Sequence, residues 1–257
     1  MSEVTYTLGR FVWRELLTSD VEGAKGFYGE LLGWSFKGVD IGEGGTYWLA
    51  NVGETQVCGL MKKPDEVPMP SHWAGYVSVD DVDAAIARAI AEGGMSPMPA
   101  MDMPGVGRMG VILDPAGAVS WAFRSEKGDM PVKQPGLSEF CWESLAAADV
   151  EKSKAFYGKV YGWKASAFGP NMTTFGTGEG MENQVADVMA APPGVPSHWV
   201  SNVVVAKLAD SRARVEKLGG KVLMGEIAVP GIGLIAIVQD PQGATIALFE
   251  PSPAMGA

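Results

Sequence analysis

The chain has 257 residues, 47% of them apolar and 19% charged, so it can bury a core and is not disordered. Its formal net charge is −10 and its pI is near 4.7. With no basic stripe, neither a nucleic acid nor an anionic membrane is an expected partner, since both are held by positive charge. The start, Met1-Ser2-Glu3-Val4-Thr5, has no basic segment followed by an apolar run. No stretch approaches roughly eighteen consecutive apolar residues, and a cytoplasmic protein is expected.

Phe11 to Leu17 suits a strand. Ser19 or Asp20 can then cap a helix whose apolar face carries Val21, Ala24, Phe27, Tyr28, Leu31 and Leu32, with Gly33 as its left-handed stop. Thr46 to Val52 and Thr55 to Met61 read as strands joined by a turn at Gly53-Glu54. Trp73 to Val79 is a further strand, followed by a helix with Val82, Ala85, Ile86, Ala89 and Ile90 on one face and Gly93-Gly94 at its end. Strands are expected near 95–100, 107–113 and 118–124. Met95, Met98, Met101 and Met103, interleaved with prolines, are expected to fill a gap between domains, with a lid or an adaptable contact surface as the alternative. Cys58 and Cys141 sit in apolar, strand-like runs and read as small buried hydrophobes.

The pattern then recurs. Residues 13–34 read WRELLTSDVEGAKGFYGELLGW and residues 142–163 read WESLAAADVEKSKAFYGKVYGW, an offset of 129 with 11 of 22 positions identical. Pro70-Ser71-His72-Trp73 returns as Pro196-Ser197-His198-Trp199, and GVGRMGVILDPAGA (105–118) returns as GIGLIAIVQDPQGA (231–244). Preserved order and spacing identify a duplication. The expected organisation is a first domain over 1–124, a polar, Gly/Pro-rich linker over 125–136 and a second domain over 137–257. Each copy holds two strand–helix–three-strand units, and the fold class is α+β.

These words resemble the vicinal oxygen chelate superfamily, which includes glyoxalases, bleomycin-resistance proteins and extradiol dioxygenases. The likeness rests on Asp20-Val21, Phe27-Tyr28, Gly33-Trp34, the acidic helix opening Val79-Asp80-Asp81-Val82-Asp83, and Asp114-Pro115-x-Gly117. All recur in the second copy except the acidic opening, which becomes Ala206-Lys207-Leu208-Ala209-Asp210. The resemblance implies two tandem domains, each with mixed, curved sheets. The Asp-Pro-x-Gly turns also have a structural reading of their own: Asp caps, Pro fixes φ and Gly takes a positive φ.

Metal-dependent members place ligands on four inward-facing strand positions. By the resemblance these are Trp13, Gly59, Ala74 and Trp121 in the first copy and Trp142, Asp187, Val200 and Ala247 in the second. Only Asp187 is a donor, so no metal or other cofactor is expected. His72 and His198, the only histidines, read as side chains bonding a loop backbone. Trp13, Trp121 and Trp142, with Glu15, Tyr76, Phe123, Phe140 and Asn202 around them by strand period, either line a small-molecule pocket or pack as core.

The reading that follows is a metal-independent protein that binds a small aromatic or amphipathic ligand, in the manner of bleomycin-resistance proteins, as a monomer or weak dimer. Trp13, Glu15, Tyr76, Trp121, Phe123, Trp142 and Asn202 are its candidate ligand contacts. One alternative is a glyoxalase-like lyase or isomerase, or a dioxygenase, with a non-standard site in which Glu15 or Asp187 serves as base. Another is a stress or regulatory protein acting through partner contacts.

Overall fold

The computed structural model describes residues 4–65, 68–169 and 172–253. The first copy runs β1 (Phe11–Thr18), α1 (Val21–Leu32), β2 (Ser35–Asp40), β3 (Thr46–Val52), β4 (Thr55–Lys62), β5 (His72–Ser78), α2 (Val82–Ala91), β6 (Met101–Met103), β7 (Gly107–Leu113) and β8 (Val119–Ser125). The second repeats it with β9 (Phe140–Ala147), α3 (Val150–Val160), β10 (Lys164–Phe168), β11 (Met172–Gly176), β12 (Gln184–Ala190), β13 (His198–Val204), α4 (Leu208–Lys217), β14 (Lys221–Val229), β15 (Gly233–Gln239) and β16 (Thr245–Pro251). The strands form two eight-stranded mixed sheets, ordered β2-β3-β4-β1-β5-β8-β7-β6 and β10-β11-β12-β9-β13-β16-β15-β14. The α+β reading is therefore correct.

Local chemistry sets the helix ends. Asp20 caps α1 by accepting from the Gly23 amide at 3.0 Å, and Gly33 takes φ 71° at its end. Asp81 and Asp149 cap α2 and α3 in the same way. The helix α4 opens on Lys207, which has no capping oxygen. There the Glu250 carboxylate, from β16, accepts the Leu208 amide at 2.7 Å and so supplies a cap from a distant part of the chain. The amide and the Lys207 ammonium hold the Glu250 carboxyl below its ordinary pKa range.

Several expectations differ from the structure. β2 carries a mostly exposed SFKGVD sequence without period-two burial, so no apolar alternation announces it. Residues 95–100 contribute only an isolated bridge between Met95 and Leu113, because Pro97 and Pro99 cannot donate to a ladder. Ile90 is exposed, and the buried face of α2 is Val82, Ala85 and Ala89. Met95, Met98 and Met103 are exposed and therefore fill no gap. Cys58 is buried and Cys141 half-buried, and the two form no disulfide; burial pushes the Cys58 thiol up.

Contacts divide the chain into two compact units. Unit one comprises Met1–Trp13, Ala74–Lys133 and Glu143–Trp199; unit two comprises Arg14–Trp73, Gln134–Trp142 and Val200–Ala257. Each unit thus draws half of its residues from each copy of the repeat. In unit one α2 packs against α3, and Val77, Ile112 and Ala122 of the first copy share a core with Leu145, Phe156, Tyr157 and Phe175 of the second. In unit two α1 packs against α4, and Leu16, Tyr28 and Leu60 share a core with Val203, Leu208, Ile246 and Leu248. Burying such aliphatic side chains is worth roughly 1.5–3 kcal/mol apiece.

Candidate ligand-binding site

The repeated sequence words meet inside each unit. In unit two the Tyr28 hydroxyl donates to Asp240 Oδ2 at 3.0 Å and accepts from Trp73 Nε1 at 3.0 Å. In unit one the Tyr157 hydroxyl donates to Asp114 Oδ2 at 3.2 Å and accepts from Trp199 Nε1 at 3.0 Å. The other oxygen of each Asp holds its own turn, Asp114 Oδ1 accepting from Ala116 and Ala118 and Asp240 Oδ1 from Gln242 and Ala244. Burial and the adjoining carboxylate raise both tyrosine pKa values well above the ordinary phenol range, so both remain neutral donors. Burial also raises the Asp240 carboxyl above its usual range. His72 and His198 likewise bond loop backbone, at 2.9 Å from the Pro70 carbonyl and 2.8 Å from that of Pro196. All of these residues serve the fold.

The sheet faces that point away from the helices carry the candidate contacts. In unit one Val77 and Ala122 face the core, so the alternate residues Tyr76 and Trp121 face the other way. Tyr76 stands directly opposite Trp121 on the parallel β5–β8 ladder, and the two rings stack with centroids 5.3 Å apart and planes 12° from parallel. Phe123 meets Tyr76 edge-on at 6.0 Å. Met109 pairs with both Phe123 and Met101, which extends this row across three strands. Ala74, Tyr76 and Met109 are buried, with Trp13, Met101, Trp121 and Phe123 packed around them and partly exposed. Four of the candidate residues, Trp13, Tyr76, Trp121 and Phe123, are thereby gathered on one face. Met101 and Met109 are additions that period-two spacing on β6 and β7 could have supplied.

The remaining candidates lie elsewhere. Glu15, in unit two, is buried and sits opposite Gly59 on the parallel β1–β4 ladder. Asp187, in unit one, occupies the corresponding rung of β9–β12 opposite Ser144, whose hydroxyl donates to Asp187 Oδ1 at 2.7 Å. The duplicated rung keeps one carboxylate in each copy but moves it to the neighbouring strand. Thr174 and then Ser166 continue the second copy's rung, making a polar row of Ser144, Asp187, Thr174 and Ser166. A Cβ built at Gly59 would overlap the Tyr47 hydroxyl, so the Tyr47 phenol occupies the space a side chain at 59 would need. Trp142 and Asn202 belong to unit two, where Asn202 Nδ2 donates to the Trp142 carbonyl at 3.5 Å and to the Val200 carbonyl at 3.1 Å. Asn202 faces Ala247, so the Tyr76–Trp121 stack has no counterpart at this rung. Phe140 turns into core, packing on Trp34 at 5.7 Å and Trp73 at 5.3 Å, and lines no ligand face.

One contact falls in the segment read as linker. Asp129 Oδ2 accepts from the Thr7 amide at 2.7 Å, the Thr7 hydroxyl at 3.2 Å and the Ser78 hydroxyl at 2.6 Å. Its Oδ1 is buried without a hydrogen-bond partner among the described residues. Composition alone marks this stretch as a connector and gives no signal of the anchored carboxylate.

Comparison with known proteins accords with this geometry. Residues 8–121 match the model of the Glyoxalase/Bleomycin resistance protein/Dioxygenase superfamily, and residues 140–178 match the bleomycin resistance protein-like N-terminal model. A Mycobacterium tuberculosis protein named "Putative glyoxylase CFP32" is 33% identical over 258 residues, covering 96% of this chain and 97% of that one. This chain belongs to the glyoxalase/bleomycin resistance protein/dioxygenase superfamily.

Further matches extend the picture. The anthracycline biosynthesis protein DnrV of Streptomyces peucetius is 30% identical, covering 94% of this chain and 93% of its own. Among solved structures, the Mn(II)-bound glyoxalase of Novosphingobium aromaticivorans superposes with a TM-score of 0.64 at 16% identity, covering 95% of this chain and 82% of that one. The 2,3-dioxygenase LapB of Pseudomonas sp. KL28 gives 0.62 at 13%, with coverages of 97% and 96%. At these identities the structural likeness speaks for the fold. The residues here do not fit a metal such as that glyoxalase's Mn(II). The first copy offers Trp13, Gly59, Ala74 and Trp121 at the ligand positions, the phenol of Tyr47 crowds position 59, and no three His, Cys, Asp or Glu side chains gather among the described residues. No helix among those residues is long and apolar enough to cross a membrane.

Proposed function

We propose that this chain binds a small planar aromatic or amphipathic molecule on the aromatic face of unit one. The observation that carries the reading is the Tyr76–Trp121 stack, bordered by Phe123, Trp13 and two methionines on the sheet face opposite α2. Three of its aromatic members, Trp13, Trp121 and Phe123, keep part of their surface in solvent. A planar ligand stacks on such rings with roughly 0.5–1.5 kcal/mol beyond the area it buries, and the methionines adapt to its outline. The relatives named for anthracycline biosynthesis support this chemistry, since an anthracycline is a fused-ring aromatic. Titration with a water-soluble anthraquinone, followed by tryptophan fluorescence, tests it. Saturable quenching that Trp121→Ala weakens is expected; absence of saturable quenching contradicts the reading.

A second reading, catalysis of the glyoxalase or dioxygenase kind with Asp187 as base, draws on one observation. Asp187 is buried, on a strand that carries a ligand in metal-dependent relatives, and it is hydrogen-bonded by Ser144. A lyase or isomerase activity that disappears in Asp187→Asn while the fold persists would favour it over simple binding.

A further inference from the structure

We infer that the ligand of the aromatic face carries a positive charge, with Asp129 as its counter-ion; this rests on the binding reading above. The starting point is the Asp129 carboxylate. Three donors, the Thr7 amide, the Thr7 hydroxyl and the Ser78 hydroxyl, all converge on Oδ2. The second oxygen, Oδ1, is buried and has no hydrogen-bond partner among the described residues. A buried carboxylate oxygen without a donor is costly, and its persistence calls for a reason.

Oδ1 is closed to solvent, so the carboxylate acts through its charge and not by direct contact, and its place in the fold shows on what. Ser78 is the β5 residue two after Tyr76, so both side chains lie on the same sheet face, and Ser78 pairs directly with Phe123 on β8. The Ser78 hydroxyl therefore links Asp129 to the row that holds the aromatic cluster. The carboxylate thus lies one hydrogen bond from a residue of the aromatic row, whose ring quadrupoles attract cations. Aromatic faces of this kind recognise alkylated ammonium groups generally. The chain's net charge of −10 draws cations toward it from solution and disfavours anionic ligands. The ligand class is an aromatic bearing a protonated or quaternary amine.

The test compares N-methylquinolinium, a permanent cation, with quinoline, its neutral counterpart near neutral pH, by fluorescence titration of the full chain. The cation is expected to bind about tenfold tighter or better, and Asp129→Asn should remove most of the cation's advantage over quinoline. Asparagine keeps an acceptor for the Thr7 and Ser78 donors, and the melting temperature checks the fold. A readout that needs no variant is salt: raising ionic strength should weaken the cation and leave quinoline unchanged. If both probes bind equally and Trp121→Ala weakens both, the aromatic site stands and the charge inference is overturned. It is also overturned if Asp129→Asn folds and leaves the cation's advantage intact. If neither probe binds saturably, or Trp121→Ala changes neither, the binding reading itself fails and the inference falls with it.

Discussion

Tyr28 and Asp240 are 212 residues apart in sequence, yet the tyrosine hydroxyl donates to the carboxylate at 3.0 Å in a fully buried site. The equivalent pair, Tyr157 with Asp114, repeats the contact in the other unit. In both, the tyrosine of one copy meets the turn aspartate of the other. Tyr28→Phe removes a donor from Asp240 and an acceptor from Trp73 at once. It should cost about 1–3 kcal/mol, read as a lower urea midpoint with an unchanged slope. A loss of less than about 0.5 kcal/mol would show that the hydroxyl is not needed.

Asp240 carries a pH signature. Burial raises its carboxyl pKa in the folded state, so over the window from about pH 4 up through the raised value the folded state holds the proton more tightly than the unfolded chain. The stability linked to this proton is in place below about pH 4 and is lost as pH rises through the folded value. Asp240→Asn cannot ionise, so its stability relative to the wild type should improve between about pH 4 and about pH 7. Parallel urea melts at the two pH values give the sign, and a relative loss over that interval would contradict the assignment.

Position 59 tests what keeps a side chain out of the rung opposite Glu15. Gly59→Ala should cost about 1–3 kcal/mol through overlap with the Tyr47 ring. The penalty should shrink in a Tyr47→Leu background, where the phenol that fills the space is gone. Equal penalties in both backgrounds would mean that Tyr47 is not what keeps position 59 a glycine.

The composition of each unit from both copies predicts how the halves behave apart. Residues 1–124 contain β1 to β7 and most of β8, but each compact unit needs elements from both copies. Residues 1–124 and 137–257 expressed separately should each be poorly folded or self-associated, and mixing them should restore a one-to-one complex with cooperative melting. Two independently stable, monomeric halves would contradict this. The domain limits expected from composition are put to the same test.

Much of the fold was legible because duplication repeats its words. Asp20, Gly33 and the Asp114 and Asp240 turns act through local backbone chemistry, and such chemistry is visible in one stretch of sequence. The joining of half of each copy into one core was not visible, because Tyr28 and Asp240 give no local sign of each other. β2 was counted in the strand–helix–three-strand pattern but could not be located, because exposed strands lack apolar alternation. Four aromatic candidates met as strand period suggested, since Tyr76 and Trp121 keep strict register. Trp142 and Asn202 share neither that face nor that unit, and Phe140 went to core. Spacing gives the face of a strand but not which neighbour covers it. Asp129 lay hidden in a segment whose composition reads only as a connector.

The most direct test of ligand binding on the aromatic face is methyl NMR on protein labelled at its methionines, 14 in all. Met101 and Met109 pack within the aromatic face, whereas Met224 lies exposed on β14. On saturation with a soluble anthraquinone, the Met101 and Met109 methyl resonances, assigned by single Met→Leu variants, should move through ring-current shifts while that of Met224 stays in place. Shifts confined to other methionines, or no shifts at saturating ligand, would contradict binding at this site.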